Sequence, residues 1–233
     1  MQKEKRTMIL KVLCGSRAHG LANENSDFDY RGVFLVPTSE ILKIGGVCEQ
    51  THWVEGKEDD TSWELGHFLF LATKCNPTIL ETFLAPRINE DAAEWTHEGK
   101  VDWGQELRDL FPYIWNSNDV KNAFIGYGLN QRKKFLDNKD GKPNKFAAAY
   151  LRSLYNAYEL LTTGTFTIRI IDTLVGETVK RFKEGKYSVG EVVDSCLMWQ
   201  RKVEEAFVLN PDKKANFEPV NEFLLKVRKE FWI

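Results

Sequence analysis

Apolar and polar positions fall into two textures along this chain. Residues 8–14, Met-Ile-Leu-Lys-Val-Leu-Cys, read as a strand that Gly15-Ser16 ends abruptly, with a short helical turn expected over 17–21. Asn23-Glu-Asn-Ser26 carries turn chemistry. A second strand is predicted over 28–36 and closed by Pro37, a third strand or hairpin arm over 47–54, and a short strand over 59–63. The last of these runs into a helix in which Leu65, Phe68, Leu69, Ala72 and Cys75 recur at helical spacing. Asn76-Pro77 breaks that pattern, and a second helical piece over 78–84 stops before Pro86.

From about residue 105 the pattern turns helical. Helices are predicted over 120–136, over 145–161 with Asn144 as N-cap and Gly164 as stop, and over 174–183 ending near Gly185. Ser188-Val-Gly-Glu191 is a capping box that opens a helix to about residue 207, and a last helix over 218–231 tolerates Pro219 in its first turn. The chain therefore reads as α+β, a mixed N-terminal half followed by a helical half. The change falls between about 90 and 115, and we place it at 1–105 and 106–233.

Composition narrows the class. The chain has 233 residues, 42% hydrophobic and 28% charged, enough for one large domain or two small ones. With a formal net charge of -2 it has no global basic field, so a nucleic acid would have to use local patches. Cys14, Cys48, Cys75 and Cys196 form no C-x-x-C pair and lie in or near apolar runs. Buried free thiols in a reducing compartment are expected, rather than a zinc site or a disulfide framework. No signal peptide and no membrane-length apolar stretch is seen, so a soluble, cytoplasmic protein is expected.

Candidate chemistry gathers at Leu13-Cys-Gly-Ser-Arg-Ala-His-Gly20 and Ser26-Asp-Phe-Asp-Tyr30. Gly15 lets the backbone approach a bulky anion, and Ser16 adds a hydroxyl donor beside exposed N–H groups. Asp27 and Asp29 are two apart, so strand geometry puts both carboxylates on one face. They would repel each other unless a hard cation sits between them, and Mg²⁺ is the natural occupant. A phosphate cradle beside a metal dyad is what phosphoryl transfer needs. Taken singly, a Gly-Ser turn or a D-x-D pair is commonplace; their joint order is not.

These residues resemble the signature of the DNA polymerase β nucleotidyltransferase superfamily. Gly-Ser-Arg-Ala-His-Gly, Ser-Asp-Phe-Asp-Tyr-Arg-Gly-Val and Asn76-Pro-Thr-Ile-Leu-Glu81 resemble more closely the RNA repair pathway polymerase β family, the YcgL-like group, many of them carried by phages. The detailed likeness covers about residues 10 to 86; residues 127–134 and 147–164 resemble the family's helical part more loosely. The resemblance implies a twisted mixed sheet with packed helices, and a third carboxylate on a neighbouring strand. Asp59 fits that position best, with Asp60 one residue away; since adjacent strand residues face opposite ways, one of the two reaches the metals.

On this reading Asp27 and Asp29 bridge two Mg²⁺ (or Mn²⁺) ions. Asp59 holds the second ion and can take the acceptor proton, and Gly15 and Ser16 hold the β- and γ-phosphates. Arg17 either forks onto a phosphate or bridges to an acidic residue. Arg31 shares the dyad's face and can orient a carboxylate. His19 caps the loop, meets substrate or packs, and His67 reads as structural. Glu81 is expected to bond backbone N–H groups at a helix end.

Lys145 and Arg152, seven apart on one helix face, are candidate nucleotide-binding residues. The basic stretches 131–145 and 180–183, interleaved with Tyr127, Phe135, Phe146, Tyr150 and Tyr155, suit an RNA end or an NTP base. A solvated helix face backed by core aromatics explains the same pattern. The function expected is transfer of a nucleoside monophosphate from an NTP to an acceptor hydroxyl, in the first instance an RNA end. A protein-AMPylating transferase of toxin-antitoxin type and a non-catalytic nucleotide-binding module are the alternatives.

Overall fold

A computed structural model describes residues 6–45, 48–54, 58–88, 94–96 and 99–233; within these, the side chains of residues 54, 58, 59, 94–96 and 99 fall outside the description. Strand β1 (Thr7–Cys14) runs into helix α1 (Gly15–Ala18), followed by β2 (Phe28–Leu35), α2 (Thr38–Ile41), β3 (Thr51–Val54) and β4 (Glu58–Glu64). Helices α3 (Leu65–Thr73) and α4 (Pro77–Leu84) precede a short hairpin, β5 (Glu94–Thr96) and β6 (Gly99–Val101). The main sheet has the order β1-β2-β4-β3, with β2 and β4 parallel at its centre and both outer pairs antiparallel. Segment 86–88 closes the outer edge of β1: the Leu13 N–H donates to the Pro86 carbonyl at 2.8 Å and the Ile88 N–H to the Lys11 carbonyl at 2.9 Å. The edge groups of β1 are thereby withheld from other chains.

The second half is helical: α5 (Trp103–Arg108), α6 (Phe111–Ile114), α7 (Ser117–Leu136), α8 (Pro143–Thr163), α9 (Gly176–Lys183), α10 (Val189–Leu209) and α11 (Glu218–Glu230). The architecture is α+β, a polymerase-β-like mixed sheet with helices followed by an extended helical region. Ser188 and Glu191 make the expected reciprocal capping box on α10. Two starts differ from expectation. Helix α8 begins at Pro143, not after an Asn144 cap, because the fixed φ of proline suits the first helical position. Helix α1 begins at Gly15, so the Gly-Ser bend is itself the first helical turn. Of the strand expected over 47–54, Thr51–Val54 is a strand and residue 47 lies outside the described residues.

The 105/106 division falls inside α5. Trp103 there is buried, its ring 6.3 Å from Phe223 and 6.0 Å from Phe231, and one apolar cluster runs from Ile9 of β1 to Val227 of α11. Cys14, Cys75 and Cys196 are buried free thiols, pushed by that burial up to about 12, 11 and 12 respectively, and Cys48 is part-exposed. Among the described residues no helix is long and apolar enough to cross a membrane.

Helix α11 returns to the sheet. Arg228 Nη2 lies 2.5 Å from Glu64 Oε1, and the Arg228 carbonyl accepts from the Thr38 hydroxyl at 2.7 Å. Glu64 also caps α3, accepting from the Gly66 N–H at 2.7 Å. Both partners of this ion pair are largely buried, so removing one strands a charge. Arg228→Ala is expected to cost about 3 kcal/mol in urea unfolding; a loss under about 1 kcal/mol would mean the pair is screened like a surface one.

Candidate active site

The site is built where β1 ends. Gly15 has φ +64°, in the left-handed region, and a Cβ placed on it would lie 1.7 Å from Asp29 Oδ2 and 2.7 Å from Asp29 Cγ. The Asp29 carboxylate therefore rests on the bare Cα of Gly15, a contact that other residues forbid. The β1–β2 register, which pairs Cys14 with Asp29, brings them together. Ser16 follows in the same turn, its carbonyl accepting from the Leu21 N–H at 2.8 Å.

Alternation along β2 sorts the neighbours. Phe28 and Tyr30 stack with ring centres 6.3 Å apart, so they share one face and Asp29 and Arg31 take the other. Asp27 is exposed and immediately precedes β2. In the parallel β2–β4 pair Asp29 is the register partner of Asp59, and Tyr30 that of Asp60. Asp60 lies 2.9 Å from Lys11 Nζ, itself 4.9 Å from the centre of the Tyr30 ring, which puts it on the face away from Asp29. The backbone thus places residue 59 on the side of Asp29; the Asp59 side chain lies outside the described residues. Among the described residues no group of three or more His, Cys, Asp or Glu side chains converges on a metal position.

The basic candidates divide. Arg17 Nη2 donates to the Ser26 carbonyl at 2.7 Å, and its guanidinium lies 3.7 Å from the centre of the Phe28 ring, so it braces the turn before Asp27. Arg152 Nη1 lies 2.9 Å from Glu81 Oε2. Lys145 is exposed near the start of α8. Lys183, from α9, donates to the Leu21 carbonyl at 2.7 Å. Burial and the neighbouring charge of Lys145 lower its pKa while Asp29 raises it, which puts Lys183 within reach of both. In sequence Lys183 belongs to the basic stretch 180–183, and no local signal ties it to Leu21, 162 residues earlier. Of the aromatics interleaved with the basic stretches, Phe135, Tyr150 and Tyr155 are buried core, whereas Tyr127 and Phe146 are part-exposed. A depression of about 460 Å³ lined by Thr73, Lys74, Asn116, Lys213 and Phe217 borders none of the candidate residues.

Behind Asp29 lies a buried network. Glu81, presented by α4, is 3% exposed and bonds side chains rather than the backbone N–H groups expected of it. Its Oε1 lies 3.0 Å from His19 Nε2 and 3.4 Å from Arg31 Nη1, opposite the Arg152 contact on Oε2. Burial alone would raise the Glu81 carboxyl, but Arg152, Arg31 and His19 hold it well below its usual 4.5. Burial, then Arg152, lowers His19 below its usual 6.5, with Glu81 opposing and Arg31 reinforcing. The neutral imidazole is thereby favoured, and with its proton on Nε2 it donates to Glu81.

Both shifts are downward, so the unfolded chain binds more protons and acid favours unfolding. The His19 contribution is complete above about 6.5 and falls away below it; that of Glu81 starts to fall below about 4.5. The melting temperature is expected to decline from pH 7 to pH 5, and His19→Gln to flatten that slope. An equal slope in the variant would remove His19 from the account.

Residues 1–181 match the model of the RNA repair pathway DNA polymerase beta family. No curated protein matches the chain. With the match running from the first strand through most of α9, the chain belongs to the RNA repair pathway DNA polymerase beta family, within the polymerase-β nucleotidyltransferase superfamily.

Proposed function

We propose that this protein transfers a nucleoside monophosphate from an NTP to the hydroxyl of an RNA end, releasing pyrophosphate. Its family gives it a general nucleotidyltransfer function, and the RNA acceptor is suggested by the family's RNA repair description. The observation that carries the reading is the seat of the Asp29 carboxylate on Gly15. It puts a part-buried acidic group directly on the Gly-Ser bend.

The donor set fits a hard divalent cation. Asp29 and Asp27 supply carboxylate oxygens, Asp59 is the register partner of Asp29, and the missing Cβ of Gly15 makes room for the Asp29 carboxylate. Asp27, Asp29 and Asp59 would hold Mg²⁺ or Mn²⁺, which when bound neutralises triphosphate charge and acidifies the acceptor hydroxyl. Gly15 and Ser16 cradle the β- and γ-phosphates, and Lys145 and Lys183 add positive charge beside them. Asp59 takes the proton of the acceptor hydroxyl. The acceptor oxygen forms a bond to the α-phosphorus as the bond to the bridging oxygen breaks and pyrophosphate leaves. Positioning and charge account for most of such a rate. Arg17 and Arg152 are engaged by protein groups, so we assign them to holding the site's walls. In this scheme residues 1–105 supply the carboxylates, and the helical remainder supplies the lysines.

A protein hydroxyl as acceptor would use the same core. Incubating the protein with each labelled NTP, Mg²⁺ or Mn²⁺, and either bulk tRNA or cell lysate separates the readings. Label on RNA is expected. Label on protein alone would make it an AMPylating transferase, and binding without transfer would leave a nucleotide-binding module.

A further inference from the structure

The segment from Asn76 to Glu81 takes no part in the transfer described above, yet it delivers a charge to the back of the catalytic strand. Asn76 caps α4 by accepting from the Thr78 N–H at 3.0 Å, and α4 carries Glu81 to β2. Arg31 stands on the Asp29 face of β2, two residues further on. Burial weakens the charged state of its guanidinium; Glu81 chiefly sustains it, followed by Cys14, Tyr127 and Asp29. Arg31 Nη1 is buried at 3.4 Å from Glu81 without a well-aligned hydrogen bond, so charge more than a directed bond holds it there. Arg31 thus has two carboxylates in its field, Glu81, which it shares with Arg152, and Asp29, its neighbour two residues back on the same strand face.

We propose that Glu81 is a positioning residue for Asp29: as the counter-charge of Arg31, it sets how much of that guanidinium falls on the Asp29 carboxylate, and so how well Asp29 takes a divalent cation. The proposal rests on the reading of Asp29 as a metal ligand. Arg152 draws on Glu81 from α8, so the helical half has a say in the metal site. Partners of metal ligands commonly tune affinity in this way.

The signs of three substitutions test it. Mn²⁺ alone is titrated into the full chain, with free Mn²⁺ read by electron paramagnetic resonance and folding checked by near-UV circular dichroism. Glu81→Gln is expected to weaken Mn²⁺ binding by about tenfold, as Arg31 swings its charge onto Asp29. Adding Arg31→Gln to that variant restores most of the loss. Arg152→Gln leaves Glu81 to Arg31 and His19 and tightens binding, even where it lowers the melting temperature. A purely structural network would weaken binding in every variant, most of all in the double one. Glu81→Gln with wild-type affinity, a double variant no better than the single one, or weaker binding in Arg152→Gln overturns the proposal. Should Glu81→Gln fail to fold, the sign of Arg152→Gln still decides. A wild type that binds Mn²⁺ no better than Asp29→Ala overturns the metal reading itself, and this proposal with it.

Discussion

Asp29→Ala is expected to lower nucleotidyl transfer by about 10³-fold or more while the protein stays folded. The side chain is only part-buried, so stability should change little. On the proposed reading, what is lost is the charge that would meet the cation beside the Gly15 bend. Strand register supplies the control. Asp59, the partner of Asp29, should behave like it, whereas Asp60, held by Lys11 on the other face, should tolerate alanine with near-normal turnover. Labelled-NTP turnover with a thermal melt on each variant measures both. Normal turnover in Asp29→Ala, or equal losses at 59 and 60, would sink the assignment of the metal face.

Gly15→Ala is expected to lose about 100-fold in turnover and about 1–2 kcal/mol in stability. Two penalties add. A φ of +64° strains any residue with a Cβ, and the new methyl would stand 1.7 Å from Asp29 Oδ2, so the carboxylate must turn aside. The stability cost comes from the backbone, and the rate cost from misplacing a reacting group by about 1 Å. Gly126 makes the contrast. It lies within α7, and a Cβ there would meet nothing within 4 Å. Gly126→Ala should gain about 0.5–1 kcal/mol through helix propensity and leave turnover alone. Urea unfolding and initial rates on the two alanine variants check this. Wild-type activity in Gly15→Ala would show that Asp29 works from another rotamer and that its contact with Gly15 is incidental.

The motifs of the candidate site are legible in the sequence because their signals are short-range. A strand that stops at Gly-Ser, and two aspartates one residue apart, announce themselves within a few positions through backbone geometry. The capping box of α10 was legible for the same reason. Legibility ended where a side chain's partner lies far along the chain. Nothing near Glu81 marks it as the meeting point of His19, Arg31 and Arg152, which come from α1's end, β2 and α8. Helical periodicity in α8 placed Tyr150 and Tyr155 on the helix but could not tell a stacking platform from core, because the helices they pack against settle it.

Local pattern was thus enough for the α+β layout and for the Gly-Ser bend at the end of β1, since each is written in the conformational preferences of a few adjacent residues. Three-dimensional packing chose the face of residue 59 over 60, turned Arg152 and Arg31 onto Glu81, carried Lys183 to the bend, and brought α11 back onto Glu64. Those choices depend on strand register and on charges meeting across long loops. They are settled only when burial makes an unpaired charge too costly to leave alone.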